Sequence, residues 1–331
     1  MRPTDAVIAV TWRCNARCRM CGIWRQDAGA ELPADVFARL PGTLRDINLT
    51  GGEPYLREDL PSVHAACLRA CPRARTIVST NGLLTQRIVA STREMAREEP
   101  GLGVAVSLDG PPHVHDEMRG VEGAYERALT TVRALQDAGL SNIRLAFTAT
   151  ARNVAHMAEI YDLARDIGVE FTCAVEHVSE HYFHTSGPAT PLDAATLRSQ
   201  LAAIIERELG TFSVRRWGRA FFIKGLYDFV GRNRRPLPCR AGRDHFFMDP
   251  AGNVFACNGA PFYMGSLNET DFDSIWRSAQ ADEARRRAAA CRPGCWMVCT
   301  ARTAIRRAWP RVLAWGLACR LLGLPAIGER P

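Results

Sequence analysis

Residues 6–21 read Ala6-Val-Ile-Ala-Val-Thr11-Trp-Arg-Cys14-Asn-Ala-Arg-Cys18-Arg-Met-Cys21. A short run rich in β-branched residues ends in a polar loop that carries three thiols spaced C-x3-C-x2-C. Such a run predicts a buried strand. Five more follow at Asp46 to Thr50, Thr76 to Ser79, Gly103 to Leu108, Asn142 to Thr148 and Val169 to Val175. Helical patterns separate them near 33–40, 57–71, 83–97, 121–138 and 153–167. Alternation of this kind makes repeated βα units and a parallel sheet. The expected fold is α/β, a partial (βα)6 TIM-type barrel. Polar, glycine-containing segments follow the strands at the ends where such barrels carry chemistry: Trp12 to Cys14, Gly51-Gly52-Glu53-Pro54, Thr80-Asn81-Gly82 and Asp109-Gly110.

Three thiolates within eight residues can wrap one face of an iron-sulfur cubane and leave its fourth iron open, and an open position marks a reactive metal. A zinc site short of one ligand, or three unrelated cysteines, is the alternative. The chain has 331 residues, 47% of them hydrophobic, a net charge of +7 and twelve cysteines. No secretory signal is recognised and no stretch of about 18 apolar residues marks a membrane span, so the cytoplasm is the expected compartment. Reduced thiols there favour metal ligation over disulfides. Cys67, Cys71, Cys173 and Cys319 stand apart and read as small apolar residues. The arginines are spread along the chain, and no nucleic-acid partner is indicated.

The cysteine loop resembles the defining motif of the radical S-adenosylmethionine (SAM) superfamily, and Gly51-Gly52-Glu53-Pro54 resembles its GGEP element. The resemblance implies a 4Fe-4S cluster on Cys14, Cys18 and Cys21 whose open iron binds SAM and cleaves it to a 5'-deoxyadenosyl radical. It further implies that Gly51, Gly52, Glu53 and Pro54 meet the SAM ammonium, with Glu53 as acceptor. Asn81, Ser107 and Asp109 would face SAM or substrate, Thr148, Thr150 and Asn153 would close the fifth strand, and Trp24 would lie near the adenine or anchor the loop.

A second group, Cys239, Cys257, Cys291, Cys295 and Cys299, surrounds an expected hairpin at 246–255 that turns over Asp249 to Gly252. This region resembles the SPASM extension, or its single-cluster twitch form, and implies one auxiliary 4Fe-4S cluster on four of the five thiols. Zinc is the alternative. Such a cluster can accept an electron from a substrate radical or be structural. The division expected is a core barrel at 1–185, a substrate-proximal connection at 186–238, the auxiliary-cluster domain at 239–300 and a basic apolar tail at 301–331. His177, His181 and His184 would share a face if helical, which would suit a mononuclear metal. The tail would pack against the barrel or lie on a membrane with Arg306, Arg307, Arg311 and Arg320 at headgroup level.

The implied activity is hydrogen abstraction from a small polar substrate, an oxidation or epimerisation of a sugar-type molecule, fed by an electron donor such as a flavodoxin or ferredoxin. A peptide substrate is the runner-up, ranked lower because the first strand begins within ten residues of the start. A non-catalytic iron-sulfur electron carrier is the reading from another class.

Overall fold

The structure, a computed structural model, describes residues 2–187, 190–291 and 295–327. Six parallel strands, β1 (Asp5–Thr11), β2 (Asp46–Gly51), β3 (Arg75–Thr80), β4 (Gly103–Ser107), β5 (Asn142–Ala149) and β6 (Glu170–Val175), stand in sequence order. Each end falls within about a residue of the expected one. Helices α1 (Leu60–Ala70), α2 (Thr85–Glu98), α3 (Pro112–Arg119), α4 (Ala124–Asp137) and α5 (Met157–Asp166) make the crossovers.

Two crossovers differ from expectation. The helix expected at 33–40 is a 3-10 helix, Ala34–Arg39. Pro33 and Pro41 confine it to six residues, and Pro33 O and Phe37 O accept i+3 bonds from Val36 and Leu40. The pattern at 121–138 is preceded by α3, an unexpected helix with Pro112 in its first turn and Gly120 beyond its end at φ +63°. A Cβ on Gly120 would sit 2.6 Å from Arg17 O, so glycine is needed there both for its backbone angle and for space.

After β6 the chain forms α6 (Ala194–Leu209) and α7 (Val214–Arg232), then the hairpin β7 (His245–Met248) and β8 (Asn253–Phe255), and β9 (Tyr263–Ser266). The hairpin does not stand in a detached unit. β7 pairs in parallel with β1, Asp5 opposite His245, so the nine strands form one sheet in the order β6-β5-β4-β3-β2-β1-β7-β8-β9. Paired on both edges and covered on both faces, all seven residues of β1 are buried. The segment from 239 onward thus shares its sheet with the barrel.

Helices α8 (Phe272–Arg277) and α9 (Ala279–Ala289) cover this extension, and α10 (Val298–Arg307) and α11 (Trp309–Leu321) follow. α10 packs on β1, β7 and α7. At its far end Arg302 meets Asp5 at 2.7 Å, Arg306 meets Asp46 at 2.7 Å and Arg307 meets Asp244 at 2.5 Å, all at the starts of strands. α11 packs on α7: Trp315 lies edge-on to Phe221, and a Cβ on Gly316 would come within 2.8 Å of the Trp217 ring. The packing alternative for the tail accounts for three of its four named arginines. Arg306 and Arg307 turn to buried carboxylates, and Arg320 bonds Leu209 O and lies over Phe212. No helix among the described residues is long and apolar enough to cross a membrane.

Candidate active site

The loop after β1 carries Cys14, Cys18 and Cys21, all half-buried and none in a disulfide. Two neighbours hold it. Arg17 N and Arg19 N donate to Arg119 O and Met118 O at the end of α3, at 2.8 and 3.0 Å. From β2, Gly52 N and Glu53 N donate to Thr11 O and Arg13 O at 2.9 and 2.8 Å. The reason for paired glycines is visible: a Cβ on Gly51 would lie 2.2 Å from Thr11 O, and one on Gly52 2.2 Å from Arg13 O. They dock one loop on the other as well as opening the wall. Pro54 starts a single 3-10 turn behind them.

The three thiols share a wall of one cavity of about 330 Å³. Gly51, Gly52, Asn81, Ser107 and Thr148 also line it, at the carboxyl ends of the strands. Trp24 lines it too, its indole donating to Cys18 O at 3.4 Å. Asn81 is fixed by a 2.7 Å bond from its Nδ2 to Asn15 Oδ1.

Two expected contacts take another form. Glu53 has no exposed surface: its carboxylate accepts from Thr80 Oγ1 at 2.8 Å, Asn81 N at 2.7 Å and Tyr55 N at 3.3 Å. It shapes the wall through Thr80 and Asn81 instead of forming it. Burial pushes its pKa up to about 7 against those donors. Asp109 is also fully buried and does not face the cavity. It accepts from Thr148 N at 2.8 Å and pairs with Arg119 at 2.6 Å. Thr150 and Asn153 lock the turn after β5, where Asn153 Nδ2 donates to Asp109 O and Thr148 O at 2.9 Å each.

Arg119 is the residue that the sequence reading missed. It lines the cavity, and its Nη1 donates to Cys18 Sγ at 3.6 Å. A proline at the first helical turn and a glycine just past the end were the available signal for its helix.

The mononuclear-metal expectation for the three histidines does not survive. Residues 176–187 are not helical, and the rings go separate ways: His177 stacks on Phe229, His181 packs on Phe255 and His184 meets Trp12 edge-on. Among the described residues, no three His, Cys, Asp or Glu side chains group to hold a single metal ion. His177 does line the cavity. Its Nδ1–H donates to Val175 O at 2.7 Å, so its buried Nε2, which has no partner, is a bare acceptor. Glu176 lies beside it on the same wall, its pKa raised by burial.

The second cysteine group also reaches this cavity. Asn258, Met297, Val298 and Cys299 line it. Cys239 and Cys295 each interact electrostatically with Cys257 and Cys299, and with one another, while Cys295 is also coupled to Cys291. Burial pushes Cys14, Cys257 and Cys299 up to about 12 and Cys21 to about 11. Residues 292–294, between Cys291 and Cys295, lie outside the described residues. Tyr182 stands between the groups: it lines the cavity, shares a 3.1 Å hydrogen bond with Thr50 Oγ1, and feels both Cys21 and Cys299.

A parallel partial barrel with three thiols at the carboxyl end of its first strand defines the class of enzyme. The chain belongs to the radical SAM superfamily, whose family model matches residues 8–180, and an iron-sulfur cluster-binding SPASM domain matches residues 239–299. It is similar to the pre-heme d1 synthase of Dinoroseobacter shibae, 35% identical over 49% of this chain but only 40% of that protein. It thus spans well under half the length of that relative. The mycofactocin maturase MftC of Mycobacterium tuberculosis is 26% identical over 84% of this chain and 72% of its own length. Among solved structures, anSMEcpe with bound AdoMet shares the fold with a TM-score of 0.63 at 13% identity, covering 95% of this chain and 99% of that one. The enzyme is accordingly a radical SAM enzyme that uses SAM and 4Fe-4S clusters.

Proposed function

We propose that this enzyme oxidises a carbon of a peptide substrate. The observation that carries the proposal is the single cavity lined by Cys14, Cys18 and Cys21 from the first cysteine group and by Cys299 from the second. Cys14, Cys18 and Cys21 would hold the SAM-binding cluster, and Cys239, Cys257, Cys295 and Cys299, each coupled to at least two of the others, would hold the auxiliary one. When bound, the first cluster with SAM supplies a 5'-deoxyadenosyl radical that takes a hydrogen atom, and the second supplies an acceptor for one electron. Asn81, Ser107 and Thr148 offer short polar groups that orient what lies between. Trp24 and Tyr182 narrow the space and exclude water.

A two-electron oxidation removes a hydrogen atom, an electron and a proton from the substrate. Nε2 of His177 is a base for that proton, oriented by its own Nδ1–H bond. Epimerisation would call for a hydrogen-atom donor instead. This is why oxidation is the reading adopted.

The sequence alone ranked a small sugar-type molecule first. One observation favours a peptide. A shallow groove of about 520 Å³, walled by Ser179, Thr185, Ser186, Gly187, Gly259 and Ala260, lies next to the cavity and suits an extended backbone. MftC, a mycofactocin maturase by name, matches over most of both chains, and so do AdoMet-dependent heme synthases of Methanosarcina barkeri and Nitratidesulfovibrio vulgaris, so these likenesses leave both substrate classes open. A tetrapyrrole, with several carboxylates to satisfy, meets one arginine among the described residues of the cavity wall, and Asp109 pairs with it.

The test offers the reconstituted enzyme a pool of synthetic peptides deuterated at side-chain carbons, or iron coproporphyrin III deuterated at its propionate side-chain carbons, and follows deuterium into 5'-deoxyadenosine. Transfer from peptides alone is expected. Transfer from the porphyrin alone would overturn the peptide assignment.

A further inference from the structure

One arginine touches each thiol group, and the two arginines differ in their surroundings. Arg119 donates from Nη1 to Cys18 Sγ at 3.6 Å, and the Asp109 carboxylate lies 2.6 Å away. Arg235 donates from Nη1 to Cys295 Sγ at 3.5 Å and to Cys295 O, and from Nε to Leu237 O at 3.2 Å. Its guanidinium lies 5.2 Å over the ring of Trp296. That indole is fully buried, anchored by a 2.7 Å bond to Phe222 O and pressed against Gly225, where a Cβ would come within 2.3 Å of the ring. Arg235 is therefore fixed in place. Its Nη2 is buried without a hydrogen-bond partner, and among the described residues no carboxylate stands within ion-pair distance of it.

We propose that Arg235 raises the reduction potential of the C-terminal cluster above that of the SAM-binding one. The proposal rests on the ligand assignment given above, which places Cys295 on the second cluster. Reduction adds negative charge to a cluster. An N–H···S bond and a nearby uncompensated cation stabilise the reduced form, whereas a neutral ion pair does so far less. At the first site Asp109 pairs with Arg119; at the second, no carboxylate among the described residues pairs with Arg235. Arg235 is on this account a positioning residue that acts through Cys295 and touches no substrate.

The experiment is a potentiometric titration of the anaerobically reconstituted full chain, followed by electron paramagnetic resonance, for wild type, R235Q and R235K. R235Q should lower the second midpoint by at least about 59 mV, a tenfold change in the one-electron ratio of reduced to oxidised cluster. The first midpoint should stay put, and R235K, which keeps the charge, should retain most of the potential. An unchanged second midpoint in R235Q at full iron content would overturn the proposal, as would an R235K midpoint as low as that of R235Q. Should R235Q lose iron, D109N carries the test: freeing Arg119 of its counter-charge should raise the first midpoint, and no rise contradicts the electrostatic argument. Failure of the ligand assignment looks different. In that case the paired Cys239→Ala and Cys257→Ala changes would leave the second signal in place.

Discussion

Arg119 and Asp109 form a buried ion pair, 2.6 Å long, behind the loop that carries Cys14, Cys18 and Cys21. Asp109 has no exposed surface and Arg119 has 8%. Removing one partner strands the other in a medium that solvates it poorly. Arg119→Met should therefore cost about 3 to 5 kcal/mol of stability. The double change Arg119→Met with Asp109→Asn should cost clearly less than the sum of the two single changes. Urea denaturation of the four proteins measures the coupling; strict additivity would show that the pair does not act as a unit.

Glu53 gives the stability a pH dependence of definite sign. Its pKa in the folded chain, about 7, lies above its ordinary value of 4.5, so the folded state holds a proton that the unfolded chain has released. The contribution is fully present below about pH 4.5 and is lost as pH rises through about 7, to a total of about 3 kcal/mol. Thermal unfolding of the cluster-free chain between pH 5 and 8 should show the wild-type midpoint falling relative to that of Glu53→Gln as pH rises, while buried His115, His181 and His245, held neutral in the fold, add the opposite slope to both proteins. A midpoint that rises with pH equally in both proteins would contradict the burial argument.

Much of this was legible in the sequence, for physical reasons that vary by element. The six barrel strands follow from local β-branched runs, and the cysteine loop from its spacing. The pairing of β7 with β1 joins residues some 240 positions apart, and no local pattern encodes it. Helix α3 was hidden because Pro111-Pro112 reads as a turn, and Arg119 was hidden with it. Asp109 and Glu53 stand out in the sequence at the ends of their strands, yet their partners are protein groups that only the folded chain brings near: Arg119 for one, Thr80 and Asn81 for the other. His177 was grouped with its neighbours by a helical spacing that the strap does not adopt.

The assignment of the second cluster predicts an asymmetry among five cysteines. Cys299→Ala should lower iron by about one cluster's worth, because a four-thiolate site loses a ligand. Cys291→Ala asks whether the fifth thiol is also a ligand, and wild-type iron content would leave the other four as the set. Iron analysis after anaerobic reconstitution decides; the reverse pattern would place Cys291 on the cluster and Cys299 beside it.

The tail is part of the barrel's support. Deleting residues 303–331 removes Arg306 and Arg307 from Asp46, Asp5 and Asp244, and leaves those carboxylates with fewer partners. That deletion should yield an insoluble or strongly destabilised chain. Deletion from residue 322 onward should be tolerated, since Leu322 and Leu324 are exposed. Soluble yield and melting temperature distinguish the two, and equal stability would mean that α10 and α11 contribute little.

The central claim is that Cys14, Cys18 and Cys21 form the site where SAM is cleaved. Its most direct test is dithionite-dependent formation of 5'-deoxyadenosine by the anaerobically reconstituted full chain, compared with Cys18→Ala. The account predicts steady formation by the wild type and none above background by the variant. Equal formation by both, at matched iron content, would contradict it.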